Sequence, residues 1–388
     1  MNERSTPSPS HSSLPILRVA LIGLGSRGLR TLQRYRHLDG VSVVAVADKE
    51  PKQIAEAQAL LHAQGMPAPL CSSTEVQDIF QRGDVDLVLV CTDWFSHAHL
   101  AVEAMEAGKH VAVEVPAAVT LEECWQIVEV SRRTGRCFFL LENCCFDPFH
   151  LHALELVGSG HLGEIKHCEG AYLHDLHAWE REHASEVPLY KWMDEGHPFT
   201  SGNAYPTHGI GPMSQLLGIH RGDRFTELYA TSALPEQPLS RRLSTILLRT
   251  ARGRTALLQL DLSTPRPYSR LQSVMGTEGY LCKYPSPHLQ LSSLPEALRG
   301  DAVADFLARS APSPMDRWIK EGQAKGVENV MNYVMDAHLI DCLKRGIPPA
   351  ISVEDAALWS SVIELSARSE ETNRPVPIPD FTQDRPAR

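Results

Sequence analysis

A run of apolar residues from Ile16 to Gly23 passes directly into Gly23-Leu24-Gly25-Ser26-Arg27-Gly28 and then into a helical pattern. Few folds accommodate that junction. Gly23 permits a tight turn, Gly25 lets the backbone come close to a bound group, and Gly28 lets the helix lie against the strand. The helix start then offers unpaired amide donors and a positive dipole end, a setting for phosphates. Asp48 stands twenty positions past Gly28, at the end of the next apolar run, Val41 to Ala47. A carboxylate there bonds ribose hydroxyls and repels a 2′-phosphate. The combination predicts a Rossmann domain that binds NAD in preference to NADP through Gly23, Gly25, Ser26, Arg27, Gly28 and Asp48.

Further strands are expected at Val85 to Cys91, His110 to Val115 and Cys137 to Leu141, with helices at Ser96 to Ala107 and Leu121 to Thr134. Short apolar runs alternating with amphipathic helices indicate βαβ units and a parallel sheet. Ligands collect at the carboxyl ends of such strands. Thr92, Trp94, His97, Glu114, Val115 and Asn143 stand at those ends and join the expected cofactor site, beside Glu142 in the Glu142-Asn143 pair. Trp94 and Phe95 read equally well as packing residues.

Beyond Asn143 the texture changes to longer alternating runs at Ile165 to Tyr172, Phe225 to Ala233, Arg242 to Thr250, Arg254 to Leu262 and Ser269 to Met275. That pattern suits a mostly antiparallel sheet. Helices are expected at Val327 to Leu343 and Val353 to Ser366. The fold class is α/β, an N-terminal Rossmann domain followed by an α+β domain, and 388 residues suffice for two cores. The expected organisation is a lead-in over 1–15, a cofactor domain over 16–143, a substrate and oligomerisation domain over 144–370, and an extended tail over 371–388 that packs back on the first domain.

A net charge of -10 with no long basic run speaks against nucleic acid and anionic membranes as partners. Nine cysteines, none in a C-x-x-C spacing, fit free thiols in a reducing compartment. Met1 to Pro15 has no apolar signal-peptide core, and no stretch approaches the ~20 apolar residues of a membrane-spanning helix. A cytoplasmic protein is expected.

The cleft between two such domains is where chemistry is expected. The segment Gly202-Asn203-Ala204-Tyr205-Pro206-Thr207-His208-Gly209-Ile210-Gly211-Pro212 sets a phenol and an imidazole three positions apart on what reads as a loop before a helix. Tyr205 and His208 are the candidate catalytic residues, since both types move protons near neutral pH. Their structural alternative is a turn and a helix cap. Tyr172 and Tyr268 are candidate sugar-contacting residues. His174 and His177, three apart at a strand end, make a poor metal pair, and no metal is expected.

The first half resembles the glucose-fructose oxidoreductase and inositol dehydrogenase superfamily, through Gly23 to Gly28 and Ala107-Gly108-Lys109-His110-Val111 before Glu114. There a lysine commonly follows the glutamate and serves hydride transfer, whereas this chain has Val115. Glu114-Val115-Pro116-Ala117-Ala118, Glu142-Asn143-Cys144-Cys145, Gly170 through Leu176, Gly202 through Pro212, Asp355 through Ser361 and Ile378-Pro379-Asp380-Phe381-Thr382 together are similar to glycoside hydrolase family 109. That resemblance implies a redox-neutral hydrolysis, in which NAD takes hydride from C3 of a carbohydrate substrate, elimination and water addition follow, and the hydride returns. It also implies a homo-oligomer and a substrate role for Trp192. Members commonly carry arginines where Met193 and Thr200 stand, with a histidine between, near which His197 lies out of register. They also carry Gly-Gly-Met-Asp where this chain has Lys325-Gly326-Val327-Glu328. A guanidinium recognises polar groups bidentately and a methionine cannot, so the resemblance speaks for the reaction type with an altered substrate pocket and leaves the sugar open. Competing expectations are an ordinary NAD-dependent sugar oxidoreductase and a non-catalytic sugar or dinucleotide sensor.

Overall fold

The structure is a computed structural model that describes residues 16–176, 178 and 189–385, without the side chains of 189 and 190. The expected lead-in and His177 lie outside the described residues.

The first half alternates strand and helix: β1 (Leu17–Ile22), α1 (Ser26–Tyr35), β2 (Val41–Ala47), α2 (Pro51–Ala63), β3 (Cys71–Ser73), α3 (Gln77–Phe80), β4 (Leu87–Val90), α4 (His97–Glu106), β5 (His110–Val113), α5 (Leu121–Thr134) and β6 (Phe138–Leu140). The strands form one parallel sheet in the order β3-β2-β1-β4-β5-β6. β4 is buried at all its positions, as a strand covered on both faces must be. Helix ends follow local chemistry: Thr120 and Glu123 form a capping box for α5, and Gly135 ends it in the left-handed region. The short β3 and α3 escaped the sequence pattern, because three residues at a sheet edge carry no readable period.

The second half begins with α6 (Pro148–Gly158), β7 (Ile165–Leu173), α7 (Leu189–Asp194), α8 (Thr207–Leu217), β8 (Phe225–Ala233), β9 (Leu243–Thr250) and β10 (Thr255–Asp261). It continues through β11 (Ser273–Gly276), β12 (Gly279–Cys282), β13 (His288–Leu291), β14 (Leu298–Arg299), α9 (Asp301–Ser310), α10 (Asp316–Ala324), α11 (Val330–Arg345), α12 (Val353–Thr372) and β15 (Val376–Pro377). The sheet order is β14-β13-β12-β11-β7-β10-β9-β8-β15. Its described pairs are antiparallel except β7 with β10. In β9, Ser244, Ile246, Leu248 and Thr250 face the core while Leu247 and Arg249 face out, the alternation of a half-covered sheet. The predicted helix at Val327 starts at Val330, where the Asn329 side chain accepts from the Asn332 amide and caps it.

One helix packs closely within the second half, and another joins the two halves. α8 lies against β7, where a Cβ on Gly209 would stand 2.8 Å from Ala171 N and one on Gly170 would stand 2.4 Å from Gly209 O. These glycines give the helix its close approach to the strand, so residues that read as loop formers are helical. α12 runs between the halves: Ser360 Oγ accepts from Ala117 N and Ser366 Oγ accepts from Asn203 N. β15 pairs with β8, and beyond it Phe381 packs on Trp125 of α5 at 4.5 Å between rings, with Arg132 donating to the Phe381 carbonyl at 2.6 Å. The tail thus touches both halves.

Candidate functional site

The glycine loop after β1 is shaped by its neighbours. Gly23 has φ +89°, and a Cβ there would stand 2.6 Å from the Cys91 carbonyl group. A Cβ on Gly28 would meet Gly23 O at 2.0 Å, so α1 can lie this close to β1 only without a side chain. Gly25 is different: a Cβ there meets nothing within 4 Å, so this glycine faces open space. No side chain caps the start of α1, which leaves its first amides free for a ligand. Asp48 braces the loop by accepting from Leu24 N at 2.6 Å and Glu50 N at 2.8 Å.

A cleft of about 460 Å³ opens here, lined by Gly23, Gly25, Ser26, Arg27, Asp48, Thr92 and Trp192 among others. Free amides, an open glycine and a carboxylate after β2 fit a dinucleotide. Trp192, expected at the sugar, lines this cleft and packs on Trp94 at 5.8 Å. Trp94 and His97 are buried below the surface. His97 is held by the carbonyls of Pro116 at 2.7 Å and Thr92 at 3.1 Å, so it shapes the strand ends from behind. Val115 is buried and has no cation to offer.

A larger cleft of about 560 Å³ adjoins the first, and Arg27 lines both. Arg27 Nε lies 3.6 Å from Glu114 Oε1, which places the glutamate behind the arginine. Tyr172, His208, Tyr268, Asn143, Cys144 and Asn332 also line the larger cleft. Asn143 therefore belongs to it and not to the dinucleotide cleft, and Asn143 Nδ2 donates to Asn332 Oδ1 at 2.7 Å. Met193 is buried and Thr200 faces solvent, and neither is among the residues lining the two clefts.

His208 sits in the first turn of α8, not on a loop. Its Nδ1 is 2.8 Å from Glu142 Oε1 and 2.9 Å from Oε2, and its Nε2 is 3.1 Å from the Tyr205 hydroxyl. Glu142, fully buried, also accepts from Cys144 N at 3.0 Å. Burial opposes the charges, yet the imidazole and carboxylate hold each other ionised: His208 is pushed up to about 10 and Glu142 is held below its ordinary range. Burial drives the Tyr205 and Tyr172 phenols well above their ordinary values, so both keep their protons at neutral pH. Tyr205 is 5% exposed and stacks on Trp94 at 5.3 Å with planes 6° apart. It stands behind the cleft wall and reaches the cleft through His208. Asn203 Oδ1 accepts from Tyr205 N at 3.0 Å and fixes the approach.

Glu142 is the site residue whose partner the sequence reading missed. A signal existed, because a carboxylate set between Phe138-Phe139-Leu140-Leu141 and Cys144-Cys145-Phe146 is bound for the interior and needs a cation or several donors there.

Comparison with known proteins agrees across both halves. Residues 17–141 match the family described as Oxidoreductase family, NAD-binding Rossmann fold, and residues 149–238 and 240–387 match Glycosyl hydrolase 109, C-terminal domain. The chain is 40% identical over 400 residues to Glycosyl hydrolase family 109 protein 2 of Bacteroides fragilis, covering 96% of this chain and 94% of that one. It is equally 40% identical over 400 residues to an alpha-N-acetylgalactosaminidase of Bacteroides fragilis, with the same coverage. Among solved structures, levoglucosan dehydrogenase in complex with NADH and L-sorbose superposes with TM-score 0.75 at 18% identity, covering 95% of this chain and 100% of that chain. At that identity the likeness shows the fold alone. Matched in both halves and over nearly its whole length, the chain belongs to glycoside hydrolase family 109 and is an NAD-dependent glycoside hydrolase with an NAD-binding Rossmann domain.

Proposed function

We propose that the larger cleft cleaves an α-linked N-acetylgalactosaminide through a transient ketone at C3 of the sugar. The amides after Gly25 and the Asp48 carboxylate would hold NAD, which would supply hydride acceptance and return at C3. A ketone at C3 acidifies the C2 hydrogen, loss of that proton expels the C1 substituent, and water adds across the resulting double bond. The task of the chain is then to move protons. His208 is the cleft-facing acid and base, Glu142 fixes its tautomer and favours its charged form, and Tyr205 shares the proton at Nε2. Tyr172 and Tyr268 present phenols to the sugar, and Asn143 with Asn332 forms part of the opposite wall.

The observation that carries this reading is the Glu142, His208, Tyr205 chain of hydrogen bonds. A carboxylate buried behind an imidazole suits proton relay, and does not suit a hydrolase that works with two open carboxylates. Val115 in place of a lysine favours hydrolysis over net oxidation. The choice of sugar rests on the relative that carries the name alpha-N-acetylgalactosaminidase.

Turnover of an aryl α-N-acetylgalactosaminide in deuterium oxide tests it. Deuterium at C2 of the released sugar without accumulation of NADH is expected, and hydrolysis that leaves C2 unlabelled overturns the route. We further place self-association on the outer face of β8, β9 and β10, where Leu247 is 53% exposed. Light scattering of wild type against Leu247→Glu should show a smaller particle for the variant. The free thiols support a reducing compartment such as the cytoplasm; microscopy of a tagged full chain that finds it outside the cytoplasm overturns that placement.

A further inference from the structure

Glu142, Cys144 and His208 each offer one ligand atom, and these atoms lie within 4.8 Å of one another. Cys144 Sγ is 3.5 Å from His208 Nδ1, the same nitrogen that Glu142 Oε1 approaches to 2.8 Å. Thiolate, imidazole and carboxylate make a borderline-soft donor set that suits zinc, whereas magnesium and calcium require oxygen shells. The sulfur–nitrogen spacing agrees with the chemistry. Zinc bonds of about 2.3 Å to sulfur and about 2.0 Å to nitrogen at a tetrahedral angle put those two atoms roughly 3.5 Å apart. The nitrogen and the carboxylate oxygen need to separate by only about 0.5 Å to take their own zinc bonds.

The position is also reachable. Cys144 and His208 both line the larger cleft, so a fourth ligand can come from that side. The neighbouring cations Arg270 and Lys283 both bond Asp147, which offsets one of their two charges. The expectation of no metal rests on His174 and His177, whereas here Glu142 and Cys144 come from one turn and His208 is brought to them from another segment.

We infer that Glu142, Cys144 and His208 form an inhibitory zinc site in which Zn²⁺ replaces the proton on His208 Nδ1 and the thiol proton of Cys144. Both protons go to solvent, and a water from the cleft completes the tetrahedron. The metal occupies the nitrogen through which Glu142 supports His208, and it withdraws electron density from the ring, so Nε2 can no longer accept a proton. The inhibitory part rests on the proton-transfer role proposed for His208. Binding does not.

The experiment uses the full-length protein freed of metal by a chelator. Competition against a chromophoric zinc chelator is expected to show one zinc per chain, and cadmium is expected to raise an ultraviolet thiolate charge-transfer band. Cys144→Ser should weaken zinc binding by at least about 10-fold and abolish the cadmium band. Each protein's hydrolysis is compared with its own metal-free rate: zinc should stop the wild type, Cys144→Ser should need at least about 10-fold more zinc, and magnesium should leave both unchanged. Cys144→Ala is the second variant should the serine form fold poorly. Zinc bound as tightly by both variants as by wild type, or not bound at all, overturns the site. Zinc bound through Cys144 with full activity overturns its inhibitory character. Loss of the hydrolytic reading would leave the chelator and cadmium measurements intact.

Discussion

The two clefts share a wall yet are built on different principles. The dinucleotide cleft takes its shape from backbone: Gly23, Gly25 and Gly28 set how close chain can come to chain, and Asp48 braces the loop at Leu24 N. The larger cleft takes its character from side chains gathered from α1, the turn after β6, β7, α8, the loop before β11 and α11. The first kind of site tolerates losing side chains and suffers from gaining atoms. The second kind behaves in the opposite way.

The sharpest test of that contrast is His208→Ala. It should lower kcat by roughly 10²–10⁴-fold while the NAD content of the purified protein, measured by absorbance after denaturation, stays at the wild-type level. Loss of NAD along with activity would break the separation between the clefts. Glu142→Gln comes next, with an expected fall in kcat of about 10²-fold. The sign of its pH effect follows from the local charges. His208 is pushed up to about 10 because the Glu142 anion outweighs burial, and without the anion burial remains and acts downward. The rising limb of kcat/KM that reports loss of the His208 proton should therefore move to lower pH in the variant, and an unmoved limb would assign that ionisation elsewhere.

On the backbone-built side, Gly28→Ala should cost about 1–3 kcal/mol of stability, because its new Cβ meets Gly23 O at 2.0 Å. A lowered Tm and partial loss of NAD are expected, with the kcat of the loaded fraction preserved. The smallest effect belongs to Ser26→Ala. Ser26 lines the dinucleotide cleft, where its proposed contribution is the backbone amide, so NAD affinity should change by no more than about 2-fold.

The same contrast explains what could be read in the sequence. Gly23 through Gly28 is a contiguous string whose meaning depends on a strand before it and a helix after it, and both neighbours are local. Asp48 follows one strand later. The larger cleft has no such string, because Glu142 and His208 meet across 66 positions of sequence. Tyr205 and His208 drew attention as a close pair, yet nothing local indicated that Tyr205 would lie flat on Trp94 behind the cleft wall, or that α8 would begin at Thr207. Gly209 and Gly211 pointed to a loop. In the folded chain they are helical and admit Ala171 and the Glu142 side chain, which a periodicity argument has no means to detect. Trp192 was placed at the sugar by resemblance, and its packing on Trp94 carries it to the dinucleotide side. In the second sheet, β12 to β14 escaped because strands of two to four residues are too short to display alternation.

Arg27 lies on the boundary that these comparisons draw, lining both clefts and leaning on Glu114. Any occupant that changes where that guanidinium rests changes the affinity of the other cleft, and thermodynamic linkage requires the effect to be equal in both directions. An enzyme working by the proposed route, which ends each cycle with its cofactor in the starting state, gains from such reciprocity. A sugar that tightens the hold on the dinucleotide is itself held more tightly while the borrowed electrons are outstanding.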